Sequence, residues 1–288
     1  MEITIFFKMK ILTFDIEEWF HCDFISDSST WKNYETRIYE ANDKILQALE
    51  NKKIKATFFI LGWIAEKYPE VVKKIHASGH EIACHSYIHE LVHRMNPDSF
   101  RRDTEVAMKL IEDIIGEKII TYRAPAFSIT EKTPWAFEIL SELGIEYDCS
   151  VLPSSSHDYG GFPSFGECLP SVIKVNGCYI KEFPMNTVHL LGKEIIFSGG
   201  GFFRLFPYFL IRKWAEETKY VVSYFHPRDF DYEQPMLSQL PLKRKFKSYV
   251  GLKSSYPKLL KWLNDFELMS VGEASQKINW AEAKKISL

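Results

Sequence analysis

The sequence predicts an α/β fold built on a parallel sheet, and three observations carry that expectation. Strand-like apolar runs and helix-like periodic segments alternate at least four times along the chain. Polar residues follow directly after several of the apolar runs, where parallel sheets place their functional groups. Finally, 288 residues with 46% apolar and 26% charged side chains suit one large core, of which folding buries about 75% of the chain's surface.

The elements follow in order. Ile11 to Phe14 is a short apolar run that stops at Asp15, as a buried strand delivering an acid would. Residues 40–50 read as a helix with Ile45, Leu46 and Leu49 on one face. Ala56 to Leu61 reads as a second buried strand, residues 63–77 as a helix, and Gly79 as its cap. His80 to Cys84 is a third strand, running straight into a histidine cluster. In the next helix, Asn96 or Asp98 caps, Pro97 fits the first turn, and Val106, Leu110, Ile111 and Ile114 keep the period until Gly116. Strand Ile119 to Tyr122 leads to Arg123, and a helix from about Glu131 to Leu143 ends at Gly144. From Val151 to Gly201 glycine, proline and serine loosen the pattern. A helix over Pro207 to Lys219 and a strand over Val221 to Phe225 restore it.

Composition excludes several classes. A net charge of −2 argues against a general binder of nucleic-acid backbones. The five cysteines (Cys22, Cys84, Cys149, Cys168, Cys178) contain no C-x-x-C pair, so neither a thiolate zinc site nor a disulfide framework is indicated. The opening residues form only a short apolar stretch interrupted by Lys8 and Lys10, with no small-residue cleavage site, which predicts a reduced, cytoplasmic protein. Aromatic residues reach 15%, enough for a thick core or a stacking surface.

Four segments carry chemistry. HSYIHELVH spaces His85, His89 and His93 by four, which on a helix or tight turn gathers imidazoles able to share a metal. A three-histidine site therefore competes with two histidines plus a carboxylate, and a solvated histidine-rich turn is the plainer alternative. In TFDIEEW, Asp15 and Glu17 share one side of a strand end while Glu18 faces the other. Arg123 in YRAPAFS could clamp a carboxylate or simply be a surface arginine. His226 in YFHPRDF follows the apolar strand VVSYF.

Taken together and in this order, TFD, GHEIACHSYIH, RAPAF and a late strand ending in histidine resemble the polysaccharide deacetylase family, over roughly Lys10 to His226. The resemblance implies a distorted (β/α) barrel with fewer than eight regular strands, spanning residues 1–234. A C-terminal extension, residues 235–288, is expected to pack on it. It also implies a hydrolase that removes N-acetyl groups from amino sugars of a bacterial polysaccharide or its precursor. Asp15 then corresponds to the general base, Arg123 to its orienting partner and His226 to the general acid. His85 and His89 correspond to ligands of a divalent metal, most simply Zn2+. Ile16 occupies the place of the usual second aspartate, so the D-x-E opening moves the third ligand to Glu17, with Glu18 and His93 as alternatives. Tyr87, Pro125, Phe127 and Asp148 are expected near the substrate, Tyr87 through its backbone N–H and Asp148 also as a tuner of His226. Metal-free, allantoinase-like amidohydrolases share the architecture, and a glycan-binding protein without catalysis is a third reading.

FSGGGFFRLFPY and HPRDFDYEQP further resemble a subgroup associated with exopolysaccharide synthesis, with Arg228 where an aromatic is usual. A glycan or amino-sugar substrate is the implied partner. The apolar run GGGFFRLFPYFLIRKW is expected to enter the core, with peripheral contact at the inner membrane leaflet as the alternative.

Overall fold

The computed structural model describes residues 8–21, 28–154, 160–166, 168–190, 192–237 and 240–288. Cys22 and most of the opening apolar stretch lie outside them. Eleven strands and ten α-helices alternate along these residues.

Strand β1 (Met9–Ile16) is buried at all eight positions, as expected of a strand with neighbours on both sides. Helix α1 (Ile38–Lys52) and strand β2 (Thr57–Ile60) follow. The single helix expected over 63–77 is two, α2 (Gly62–Lys67) and α3 (Pro69–Ala77). The break falls at Tyr68, because the residue before a proline is pushed out of the helical region. Strand β3 (Glu81–Cys84) leads to α4 (Pro97–Ile115), whose Asn96 cap accepts from the Ser99 N–H and whose Gly116 ends it at φ 74°. Two short strands, β4 (Thr121–Tyr122) and β5 (Tyr147–Asp148), flank α5 (Trp135–Glu142).

The loosely patterned stretch holds four strands: β6 (Ser171–Val175), β7 (Cys178–Glu182), β8 (Val188–Leu190) and β9 (Lys193–Ile195). Helices α6 (Gly200–Leu205) and α7 (Tyr208–Glu217) precede β10 (Tyr220–Phe225). The chain closes with α8 (Leu242–Tyr249), α9 (Leu252–Asp265), α10 (Val271–Gln276) and β11 (Lys284–Ser287).

One sheet runs β10-β1-β2-β3-β4-β5-β7-β6-β11, parallel from β10 through β7 and antiparallel only between β7 and β6. Seven of its strands thus run parallel, fewer than the eight of a regular barrel. Among the described residues no ladder joins its two ends. Instead the chain after β7 crosses the gap with single bonds. The Tyr220 hydroxyl donates to the Pro184 carbonyl at 3.0 Å, the Val222 N–H to Asn186 Oδ1 at 2.9 Å and Ser198 Oγ to the Val222 carbonyl at 2.7 Å.

Residues beyond 235 return to the sheet. The Leu12 N–H donates to the Met269 carbonyl at 2.9 Å, and β11 pairs with β6. No helix among the described residues is long and apolar enough to cross a membrane. The run from Gly199 to Trp214 divides: Phe203 and Ile211 are fully buried, while Phe202, Leu205 and Phe209 are exposed.

Candidate active site

The C-terminal ends of β1, β3 and β10 and the loop after β4 open into one cleft of about 270 Å³. A larger groove of about 600 Å³ between α1 and α9 is lined by Gln47, Asn51, Tyr256 and Lys261 among others. Asp265 is the sole carboxylate there and no histidine lines it, whereas the smaller cleft gathers the acids and histidines.

Strand alternation places Thr13, Asp15 and Glu17 on the inner side. Asp15 is buried, and its Oδ1 accepts from Arg123 Nη1 at 2.7 Å. The same Nη1 reaches Thr13 Oγ1 at 2.8 Å, Nε reaches the Cys149 carbonyl at 3.3 Å, and the guanidinium lies 4.0 Å over the Phe59 ring. Arg123 is therefore no surface arginine: it is fully buried, and its orientation is set from three sides. Asp15 Oδ2 stays on the cleft side, 3.8 Å from His226 Nε2.

His85 and His89 leave β3 not on a helix but on a loop, where Ser86 and His89 take positive φ values of 66° and 56°. That turn brings the His85 and His89 rings within 5.4 Å, and one ligand atom each from Glu17, His85 and His89 within 4.8 Å of one another. His85 Nδ1 lies 2.8 Å from the Arg123 carbonyl, which can only accept. Its proton therefore sits on Nδ1, and Nε2 keeps a lone pair for a metal. Glu17 Oε2 is buried and has no aligned donor, with His89 Nε2 at 2.9 Å. Burial alone would raise the Glu17 carboxyl, but His89, His226 and His85 together hold it well below the ordinary carboxylate range. A buried, ionised carboxylate without an aligned donor beside two imidazoles is the donor set a divalent ion takes, so these residues fit one.

The alternatives for the third ligand separate. His93 is exposed on a 3-10 turn. Glu18 points away, its Oε1 accepting from the Arg37 and Ile38 N–H groups at 2.8 and 3.0 Å, so it caps α1.

His226 begins a 3-10 turn after β10. Its Nδ1 lies 3.0 Å from Asp229 Oδ2, which also accepts the His226 backbone N–H at 2.9 Å. Burial would lower the imidazole pKa, yet the Asp229 bond and charge, with Glu17 and Asp15 beyond, raise it to about 9. Asp229 is in turn held at about 2, and its Oδ1 lies 3.0 Å from Arg204 Nε. With Nδ1 engaged, Nε2–H faces the cleft.

Three of the residues expected beside the substrate are placed otherwise. The Tyr87 N–H is taken by Asp103 Oδ2 at 2.8 Å and its hydroxyl donates to Glu66, so it offers no donor to the cleft. Pro125 is buried and absent from the lining. Asp148 is wholly buried and accepts from Ser150 Oγ and N–H at 2.7 and 3.0 Å, while Asp229 takes the place beside His226. Asp148 is absent from the cleft lining. Phe127 does line the cleft.

Sequence reasoning missed Asp229, Arg204 and His21. The HPRD spacing, with an acid three residues after the histidine and a proline between, was a legible signal for Asp229. His21 lines the cleft, its Nδ1 accepts from the Glu18 N–H at 3.1 Å, and its ring lies 4.2 Å from that of Trp31. Nothing in WFH distinguished it from a core histidine.

Residues 8–147 match the polysaccharide deacetylase family model. The chain carries a polysaccharide deacetylase domain. A domain of unknown function, DUF3473, matches residues 149–276, so it begins inside the sheet and ends in α10. The deacetylase domain is similar to a peptidoglycan-N-acetylglucosamine deacetylase of Bacillus cereus, 36% identical over 100 residues, which are 34% of this chain and 36% of the relative. It also resembles a peptidoglycan deacetylase of Helicobacter pylori, 29% identical over 121 residues, 40% of this chain and 39% of that protein. The matched stretches thus span well under half of these relatives.

Among solved structures, a Mycobacterium smegmatis protein assigned to the polysaccharide deacetylases superposes with a TM-score of 0.66 at 16% identity, covering 98% of this chain and 94% of its own. A CE4 family pseudoenzyme from Bacillus anthracis superposes at 0.50 and 14% identity, covering 97% of this chain and 67% of its own. The deacetylase fold thus occurs with and without activity, and the residues in the cleft carry the functional argument.

Proposed function

We propose that this protein is a metal-dependent hydrolase that removes N-acetyl groups from amino sugars of a glycan or its precursor. The observation that carries the reading is convergence. A pinned acid, a three-residue metal group and a histidine held by its own carboxylate meet in one cleft.

Glu17, His85 and His89 would hold the ion, and Zn2+ is the reading favoured by two imidazoles and one carboxylate. When bound, such an ion polarises the acetamide carbonyl and acidifies water. Asp15 accepts the attacking water's proton at Oδ2, the oxygen Arg123 leaves unengaged. Arg123 keeps that carboxylate aligned through a buried ion pair. His226, protonated at neutral pH, delivers a proton from Nε2 to the leaving nitrogen as the C–N bond breaks, giving acetate and the free amine. Asp229 holds His226 in the orientation that turns Nε2 toward the cleft. Phe127 and the glycines at the start of α6 shape the sugar side of the cleft, and an exopolysaccharide is the polymer in view. The sheet and residues 235–288 are proposed to act as one unit.

Elemental analysis of the purified protein, paired with acetate release from N-acetylated oligosaccharides, tests the reading. Stoichiometric zinc and metal-dependent acetate release are expected. Activity in protein freed of metal would move the assignment to a metal-free amidohydrolase. A metal-loaded protein that binds glycans and releases no acetate would leave a binding protein.

A further inference from the structure

Helix α8 carries four basic side chains, Lys243, Arg244, Lys245 and Lys247, and no acid. None of its residues is buried. Leu242 and Phe246, one turn apart on the same face, are 86% and 58% exposed. Most helices of this chain bury an apolar stripe; α8 turns its own to solvent.

The helix is nevertheless held in place. Arg204, itself buried on α6, donates to the carbonyls of Lys247, Ser248 and Val250 at 3.0, 2.7 and 3.2 Å. The Tyr249 hydroxyl accepts the Leu237 N–H at 2.9 Å, which ties the exposed Met236 to the same end of the helix. On the Arg204 side, α6 exposes Phe202, and the first turn of α7 exposes Phe209 at 69%. Lys247 and Ser248, together with Gly200 and Gly201, line the cleft. An apolar, basic ridge therefore borders the mouth of the site.

We infer that this ridge, centred on Leu242 and Phe246 of α8, docks on an anionic lipid bilayer. Water solvates the lysines but not the leucine and aromatic faces, whereas an interface takes both. The apolar groups enter the acyl boundary and the cations meet lipid phosphates. An apolar protein partner would offer Lys243 and Lys245 no counter-charge, so charge complementarity favours the anionic surface. Docked this way, the cleft opens beside the headgroups, where a membrane-held glycan would be presented. Only that last consequence rests on the deacetylase reading; the docking does not.

The test is co-sedimentation of the full chain with phosphatidylcholine vesicles, with and without phosphatidylglycerol. Binding to the anionic vesicles alone, weakened by salt, is expected. Lys243→Glu with Lys245→Glu should reduce partitioning at least about tenfold, and Leu242→Ser with Phe246→Ser should also release the protein. Both pairs lie outside the cleft lining, so circular dichroism and acetate release from a soluble oligosaccharide should match the unaltered chain. A failed acetate assay alone would count against the enzyme reading, since sedimentation reads binding without turnover. No binding to anionic vesicles would overturn the inference. So would retention by the Leu242→Ser/Phe246→Ser protein, which would mark simple attraction to polyanions. A stable dimer lost in that same variant would also overturn it, assigning the face to a second copy of the chain.

Discussion

Asp229 grips His226 twice, through the ring nitrogen Nδ1 at 3.0 Å and the backbone N–H at 2.9 Å. A carboxylate three residues downstream thus fixes both the position and the protonation of the imidazole.

That grip sets a pH dependence. The His226 pKa is raised, so its charge is present below about 9 and is lost as pH rises through that value. Asp229→Asn removes the charge that raises it, and the alkaline limb of kcat should move from about 9 toward the ordinary 6.5. Turnover at neutral pH should fall about fourfold from the lost protonation if His226 is the acid. An alkaline limb that stays where it was would sink the role given to Asp229.

Asp15 and Glu17 sit on the same side of β1 but are assigned different work. Asp15→Asn should keep the metal, measured by atomic emission, and lose about 10²–10⁴-fold in turnover. Glu17→Gln should bind metal more weakly, and added metal should restore part of its activity. Rescue of Asp15→Asn instead would exchange the two roles.

Glu18, next in sequence, belongs to folding. Glu18→Ala removes the acceptor for two N–H groups at the start of α1 and should cost about 1–2 kcal/mol in urea unfolding. Metal content should be unchanged. Loss of metal would mean that the strand register differs from the one described.

His80 supplies an acid sensitivity away from the cleft. Burial, with Lys55 nearby, lowers its pKa to about 4, while the unfolded chain titrates near 6.5. It therefore contributes stability that is complete above 6.5 and is lost as pH falls toward 4. Its Nδ1 also accepts the Ala56 N–H at 3.4 Å, so His80→Gln lowers stability throughout. What should change is the slope of unfolding free energy between those pH values, which should flatten. An unaltered slope would assign the sensitivity to other groups.

Local patterns determined much of this protein. Apolar runs ending in Asp15, His85, Arg123 and His226 fixed the alternating fold and the residues at the strand ends, because burial and side-chain alternation depend on neighbours a few positions away. Gly116 marked a helix end through its own backbone limits, whereas the sequence reads as one helix across the break before Pro69. Tertiary structure decided which of those residues meet. Glu17 rather than His93 joins His85 and His89, because the loop after β3 folds back at positive φ, and spacing alone does not encode a turn of that kind. From its own segment Arg123 could equally clamp a carboxylate or sit on the surface, and packing against Thr13, Asp15, Phe59 and the Cys149 carbonyl decided for the first. Asp148 lost its expected place to Asp229 because its carboxylate is buried and taken by Ser150, while the turn after β10 sets Asp229 against the His226 ring. The isolated bonds through Asn186 and Ser198, and the exposure of Phe246, depend on segments distant in sequence packing or failing to pack. Local periodicity carries no trace of either.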